Sequence, residues 1–159
     1  MKNNQKGITL VALVITIIVL LILAGVTIAA LSGQNGILTN ASNAQVENAI
    51  GNAKDQINLA ANEGIQAYYN AKYLNENDTV AGPVSGTTTA GEVVKNYVKE
   101  KTVGDGKVEG ATVTVSDSSA SVTEIPGVTG YKITITTTDK TAQTAIGAIT
   151  SDGAVKWQQ

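Results

Sequence analysis

Residues 8–31, ITLVALVITIIVLLILAGVTIAAL, contain no charged side chain. A helix of these 24 residues rises about 36 Å at 1.5 Å per residue, and a hydrocarbon core of roughly 30 Å needs no more. A secretory signal has a shorter apolar stretch, roughly 7–15 residues, with a small-residue cleavage site behind it. This run is too long for that, and a cut near Ala29 and Ala30 fits poorly. The run therefore reads as a membrane span that stays in the mature chain.

Lys2 and Lys6 both precede the span, and the first acid after it is Glu47. The positive-inside bias then predicts a single-pass cytoplasmic membrane protein with its N-terminus in the cytoplasm and everything beyond Leu31 outside. About 128 residues follow the span, enough for one long element and one small domain with a modest core.

The 159 residues hold 11 lysines, no arginine, 13 acids, no histidine and no cysteine. That inventory excludes a Cys/His metal site, a thiol nucleophile, a His-assisted serine triad and a disulfide framework. Carboxylate chemistry and calcium ligation remain. The carboxylates are scattered singly with no pattern suggesting a pair, so no enzyme is expected. No cofactor is expected either.

Gly7 stands between the basic leader MKNNQK and the apolar run, an unusual order of parts. Through Lys6, Gly7, Ile8, Thr9 and Leu10 the chain resembles the type IV pilin and pseudopilin family. The resemblance implies a membrane prepilin peptidase that cuts after Gly7 on the cytoplasmic face, leaving Ile8 as an N-methylated mature terminus. It also implies an assembly segment that includes Thr9, Leu10, Ala12 and Leu13, a membrane platform, an assembly ATPase and sister pilins as partners. At the fifth mature position most members of the family carry Glu, which is thought to pair with a neighbour's amine; here that position is Ala12. Either this subunit docks by packing alone, or it is a minor or tip subunit whose amine meets a Glu of another protein.

Beyond the span, Gly33 and Gly36 in LSGQNGILTNAS weaken a helix by about 1 kcal/mol each, so a bend, frayed turn or local melt is expected over residues 32–40. Val46, Ile50, Ala53, Ile57, Ala60, Gly64, Tyr68 and Ala71 then recur at three- and four-residue steps, predicting an amphipathic helix over 41–74, capped by Asn40 or Ser42. Asn48, Lys54, Asp55, Asn62, Glu63 and Lys72 fall on its other face. A polar connection from Asn75 to Glu92, broken by Pro83, leads into a short helix, EVVKNYVKEK, opened by the capping box Thr89 and Glu92 and stopped by Gly104 and Gly106.

From Lys107 the period becomes two. VEGATVTVS, SVTEI, YKITITTT, TAIGAIT and AVKW read as strands of an antiparallel sheet. Asp152-Gly153 marks a two-residue hairpin, to which Ile146, Ile149, Val155 and Trp157 contribute apolar side chains.

The expected fold is therefore α+β and pilin-like: leader 1–7, transmembrane assembly helix 8–31, break 32–40, amphipathic helix 41–74 and globular head 75–159. The expected function is a structural subunit of a type IV pilus-like filament, at the cell surface or in an extracellular filament after assembly. A minor pseudopilin of a secretion system and a static single-pass surface or adhesion protein are the alternatives.

Other motifs read as ordinary structure. Asp105 and Glu109 in GDGKVEG lack the spaced acids of a calcium loop. Tyr68, Tyr69 and Tyr73 read as domain core and rim rather than a stacking surface. Asn40-Ala41-Ser42 and Asn77-Asp78-Thr79 match a glycosylation triplet by chance. Without the leader, nine lysines face thirteen acids with no basic stripe, so no nucleic-acid partner is predicted.

Overall fold

The computed structural model describes residues 4–33, 36–74, 79–82, 84–139 and 142–159, with side chains from residue 9 onward. The elements in chain order are α1 (Asn4–Ser32), α2 (Ile37–Tyr73), α3 (Ala90–Thr102), β1 (Ala111–Val115), β2 (Ala120–Ser121), β3 (Thr129–Thr137), β4 (Thr144–Thr150) and β5 (Val155–Trp157). They fall into two compact units, residues 1–45 and 46–159. This is the α+β, pilin-like arrangement of a long N-terminal helical region followed by a small antiparallel sheet.

In the first unit, α1 is rich in Ile, Val and Thr, which are mediocre helix formers in water because their branched side chains crowd the preceding turn. In hydrocarbon the backbone has no other partner, and the helix becomes the only solution for a single span. The break that follows lies at the two glycines. Gly36 donates its N–H to the Gly33 carbonyl (2.7 Å), and Asn40 donates to the Gly36 carbonyl (3.0 Å). A Cβ at Gly36 would lie 2.5 Å from the Leu31 carbonyl oxygen, so the turn closes only without a side chain there.

This geometry starts α2 at Ile37, earlier than the expected residue 41, because the Gly36 carbonyl already accepts the first helical bond. Asn40 and Ser42, expected as caps, consequently lie inside the helix. The hydroxyl nearest the break is that of Thr39, which donates to the Gly33 carbonyl at 3.1 Å.

In the second unit, the buried face of α2 comprises Val46, Ala49, Ala53, Ile57, Ala60, Ala61, Gly64, Ala67 and Tyr68. It follows the three-four stripe of the sequence, except that Ile50 and Ala71 are only half-buried and three further alanines join. Small residues let other elements approach closely. A Cβ at Gly64 would lie 2.9 Å from the Val94 Cα, which places the backbones of α2 and α3 in direct contact.

Thr89 caps α3 with its side chain accepting from the Glu92 N–H (3.2 Å), as the Thr-x-x-Glu spacing requires. The helix ends with Thr102, whose hydroxyl is buried and returns to the Val98 carbonyl at 2.7 Å.

The sheet is antiparallel with order β1-β3-β4-β5, and β2 pairs with the far end of β3. Register pairs Val113 with Ile135, Ile133 with Gly147, and Ile149 with Val155. Alternation then sends Val113, Val115, Ile133, Ile135 and Ile149 to one face, where they meet Ala53, Ile57, Ala60, Val94 and Val98 in the main core. Trp157 packs over Gly147, where a Cβ would lie 2.6 Å from the indole ring, and Lys54 sits above the same ring at 5.2 Å.

Three expectations for the sheet change. SVTEI is a strand only at Ala120–Ser121; beyond it the chain curls, with Ile125 N–H on the Val122 carbonyl and Val128 N–H on the Ile125 carbonyl. Pro126-Gly127 permits that curl, Gly127 taking φ +74°. Val122, Ile125 and Val128 then cover Ala148 in a separate small cluster that Ile146 joins. Ile146 is thus on the opposite sheet face from Ile149, an odd number of residues away. The β4–β5 hairpin has a three-residue loop, Ser151-Asp152-Gly153: Thr150 N–H bonds to the Ala154 carbonyl, Gly153 N–H to the Thr150 carbonyl, and Gly153 takes φ +90°. Three-residue loops of this kind require a left-handed residue at their end.

Candidate processing and assembly segment

Of the residues the sequence marks for processing, Lys6, Gly7 and Ile8 belong to the backbone of α1; their side chains lie outside the described residues. Thr9, Leu10, Ala12 and Leu13 are described and all are exposed. They form part of a helix surface that is apolar all round, with the large side chains from Leu10 to Leu31 between 43 % and 67 % exposed. Among the described residues one helical stretch is long and apolar enough to cross a membrane, and it begins here.

The polar atoms of this surface are spent internally. Thr16 donates to the Leu13 carbonyl (2.8 Å), Thr27 to those of Leu23 and Ala24 (3.0 and 2.9 Å), and Ser32 to that of Ile28 (2.7 Å). Bonded to their own helix, these three hydroxyls need no partner from hydrocarbon. No titratable side chain stands between Lys6 and Glu47. Ala12 brings no carboxylate, and no other residue of the segment supplies one.

The sequence reading overlooked a notch in this surface. Gly25 has nothing within 4 Å of where its Cβ would be, and Ala29 follows one turn later. Small residues four apart let a second helix approach closely in an apolar medium, where packing replaces the hydrophobic drive. The Gly-x-x-x-Ala spacing was the available signal.

The other motifs resolve without a site. Asp105 and Glu109 are exposed turn residues, and among the described residues no three His, Cys, Asp or Glu side chains gather. Asn77 lies outside the described residues.

Residues 2–28 match the family model described as the prokaryotic N-terminal methylation motif. The chain carries a type IV prepilin-like signal. Comparison with curated proteins and with solved structures finds no match. A signal of this type marks a membrane-anchored, pilin-type structural protein, and it implies processing by a prepilin peptidase and association with other pilins in general.

Proposed function

We propose that this prepilin is a structural subunit of a type IV pilus-like filament, cleaved after Gly7, N-methylated at Ile8 and assembled through the apolar surface of α1. The observation that carries this reading is Gly7 placed directly between a lysine leader and an acid-free helix, inside the matched motif. Residues 1–7 act as the processing leader, 8–31 as the assembly span, Gly33 and Gly36 as the break, α2 as the amphipathic half of the helical region and 75–159 as the head. The lysines hold the N-terminus in the cytoplasm while the peptidase acts.

Moving α1 from lipid into a filament core exchanges one apolar environment for another. The gain is then mainly close packing, and an assembly ATPase with a membrane platform supplies the work of extraction. Ala12 supports docking by packing, because an unpaired carboxylate at that depth is costly and this chain has none.

Intact-mass measurement of the protein recovered from the cell surface tests the reading. Loss of Met1 to Gly7 together with one added methyl group on Ile8 is expected, and a bulky substitution such as Gly7→Leu should leave the leader attached. A retained leader on the wild-type chain would refute the proposal and favour a static anchor.

A further inference from the structure

Beside the C-terminal end of α2, in the second unit, an open recess of about 410 Å³ gathers side chains from three elements that the assembly reading does not use. Its floor is aromatic. Tyr69 and Tyr73 are 50 % and 67 % exposed, with nearly parallel rings whose centroids are 5.9 Å apart. Tyr68, buried beneath, meets Tyr69 edge-on at 5.4 Å. The rest of the lining includes polar side chains: Thr87 and Thr88 from the turn before α3, and Asp152 from the β4–β5 hairpin.

The hydroxyls of that lining are held in place. Ser85 shares hydrogen bonds with Thr87 (3.1 Å) and Thr88 (3.3 Å), and the backbone N–H of Ser85 donates to the Thr88 hydroxyl at 3.2 Å. Asp152 accepts from the Thr150 hydroxyl and from the Ala154 N–H. The Thr150 hydroxyl first, and then that N–H, hold its carboxyl below the usual range, so it is ionised at neutral pH. Lys72 donates to the Tyr68 hydroxyl at 3.0 Å, and its ammonium lies 5.2 Å and 5.6 Å from the Tyr68 and Tyr73 ring centroids.

Charge and shape narrow the ligand. Among the described residues that line the recess, one lysine already turned onto tyrosines is balanced by one ionised carboxylate, which disfavours phosphate. A quaternary cation would meet the like charge of the Lys72 ammonium beside the same rings, a repulsion that a neutral ligand escapes. What remains is a molecule with an apolar C–H face for the rings and hydroxyls for Thr87, Thr88 and Asp152. Aromatic faces are electron-rich and attract the slightly positive C–H groups of a pyranose, while a few fixed polar groups set its orientation.

We propose that this recess is a binding site for a neutral carbohydrate, with Tyr73 and Tyr69 as the stacking floor and Thr87, Thr88 and Asp152 as hydroxyl partners. Base stacking on the same tyrosines is the competing reading, and the single lysine among the described lining residues, balanced by Asp152, speaks against it, because strand binding follows the phosphate backbone with positive charge.

Saturation-transfer NMR on the full chain in a zwitterionic, sugar-free micelle tests the site; a maltoside detergent would itself compete. The probes are lactose, N,N′-diacetylchitobiose and methyl β-galactopyranoside, with octathymidine as the comparison. At about 10 mM probe, a concentration suited to weak binding, saturation is expected on the ring C–H protons of at least one sugar. The signal should fall about threefold to tenfold in Tyr73→Ala, as the loss of one aromatic contact dictates, and should persist in Tyr73→Phe. Thr87→Val, on an exposed residue, should also weaken it and serves as the reading if Tyr73→Ala does not fold. No transfer to any of the three sugars, equal transfer in Tyr73→Ala and Thr87→Val, or binding of octathymidine in place of the sugars would each overturn the proposal.

Discussion

Single residues decide the closest contacts of the second unit. Gly147 lies under Trp157 with no space for a methyl group, so Gly147→Ala should destabilise the head by about 1–3 kcal/mol, the usual cost of overpacking, read as a lower midpoint in thermal unfolding. Three surface carboxyls give the unit an acid limb. Lys99 beside Asp117, Lys132 beside Glu124 and the Thr150 hydroxyl beside Asp152 each hold the acid below its ordinary range. A carboxyl with a depressed folded-state pKa stabilises above its unfolded value, and that stability is lost as pH falls through the folded value. Unfolding midpoints should therefore stay level near neutrality and drop below the ordinary carboxylate range. In Asp117→Asn/Glu124→Gln/Asp152→Asn the drop should be shallower. Asp117 is exposed, while Lys99, Lys132 and Glu124 are half-buried at the surface, so added salt should reduce the share of the Lys99–Asp117 pair more than that of Lys132–Glu124.

At the scale of elements, α2 shows how one residue type has opposite consequences on two faces of a helix. Gly51 has open space where its Cβ would be, whereas Gly64 meets the backbone of α3. Gly51→Ala should stabilise by about 0.5–1 kcal/mol, because alanine loses less conformational freedom on entering a helix. Gly64→Ala should instead cost about 1–3 kcal/mol by pushing α2 and α3 apart. Thermal or denaturant midpoints of the two variants should therefore move in opposite directions. The stripe on α2, the Thr89 cap and the hydrophobic alternation of β1 and β3 were all legible from residue spacing, since each is a local consequence of helix or strand period. The curl at 122–128 was not. SVTEI passes for a strand on its β-branched Val, Thr and Ile, but Val122, Ile125 and Val128, each three apart, find burial together over Ala148, a reward visible only once β4 is in place. The start of α2 was misjudged for a similar reason: a propensity penalty at Gly33 and Gly36 predicts weakening, while the hydrogen bonds between them show a tight turn that hands directly to the next helix.

For the whole molecule, the decisive contrast is between an apolar segment whose Thr16, Thr27 and Ser32 hydroxyls bond to their own helix and a second unit, residues 46–159, that carries all the acids of the chain. Assembly of such a chain is expected to depend on helix packing. Gly25→Leu, which fills the notch opposite no residue of its own chain, should reduce the sheared filament fraction seen by immunoblot while leaving leader cleavage intact, since the cut lies at the other end of α1. Ala12→Glu places a carboxylate at a depth where an unpaired charge costs about 2.5–3.5 kcal/mol, and filament yield should fall. An unchanged yield would instead reveal a neighbouring amine ready to meet it and exclude docking by packing alone.

By itself the sequence determined the membrane span, the prepilin-like signal and the helix-then-sheet order, because length, charge placement and hydrophobic period are properties of consecutive residues. It also contained the three tyrosines, but as a run on one helix they looked like core and rim. Only the tertiary structure brought Thr87 and Asp152, from two distant segments, to line one recess with Tyr69 and Tyr73. Which side chains converge depends on how α2, α3 and the β4–β5 hairpin pack, and the buried Gly64 and Gly91 let these three approach. At Gly91 a Cβ would strike the Thr150 carbonyl, so the absence of a side chain on α3 sets the hairpin, and with it Asp152, against the helices.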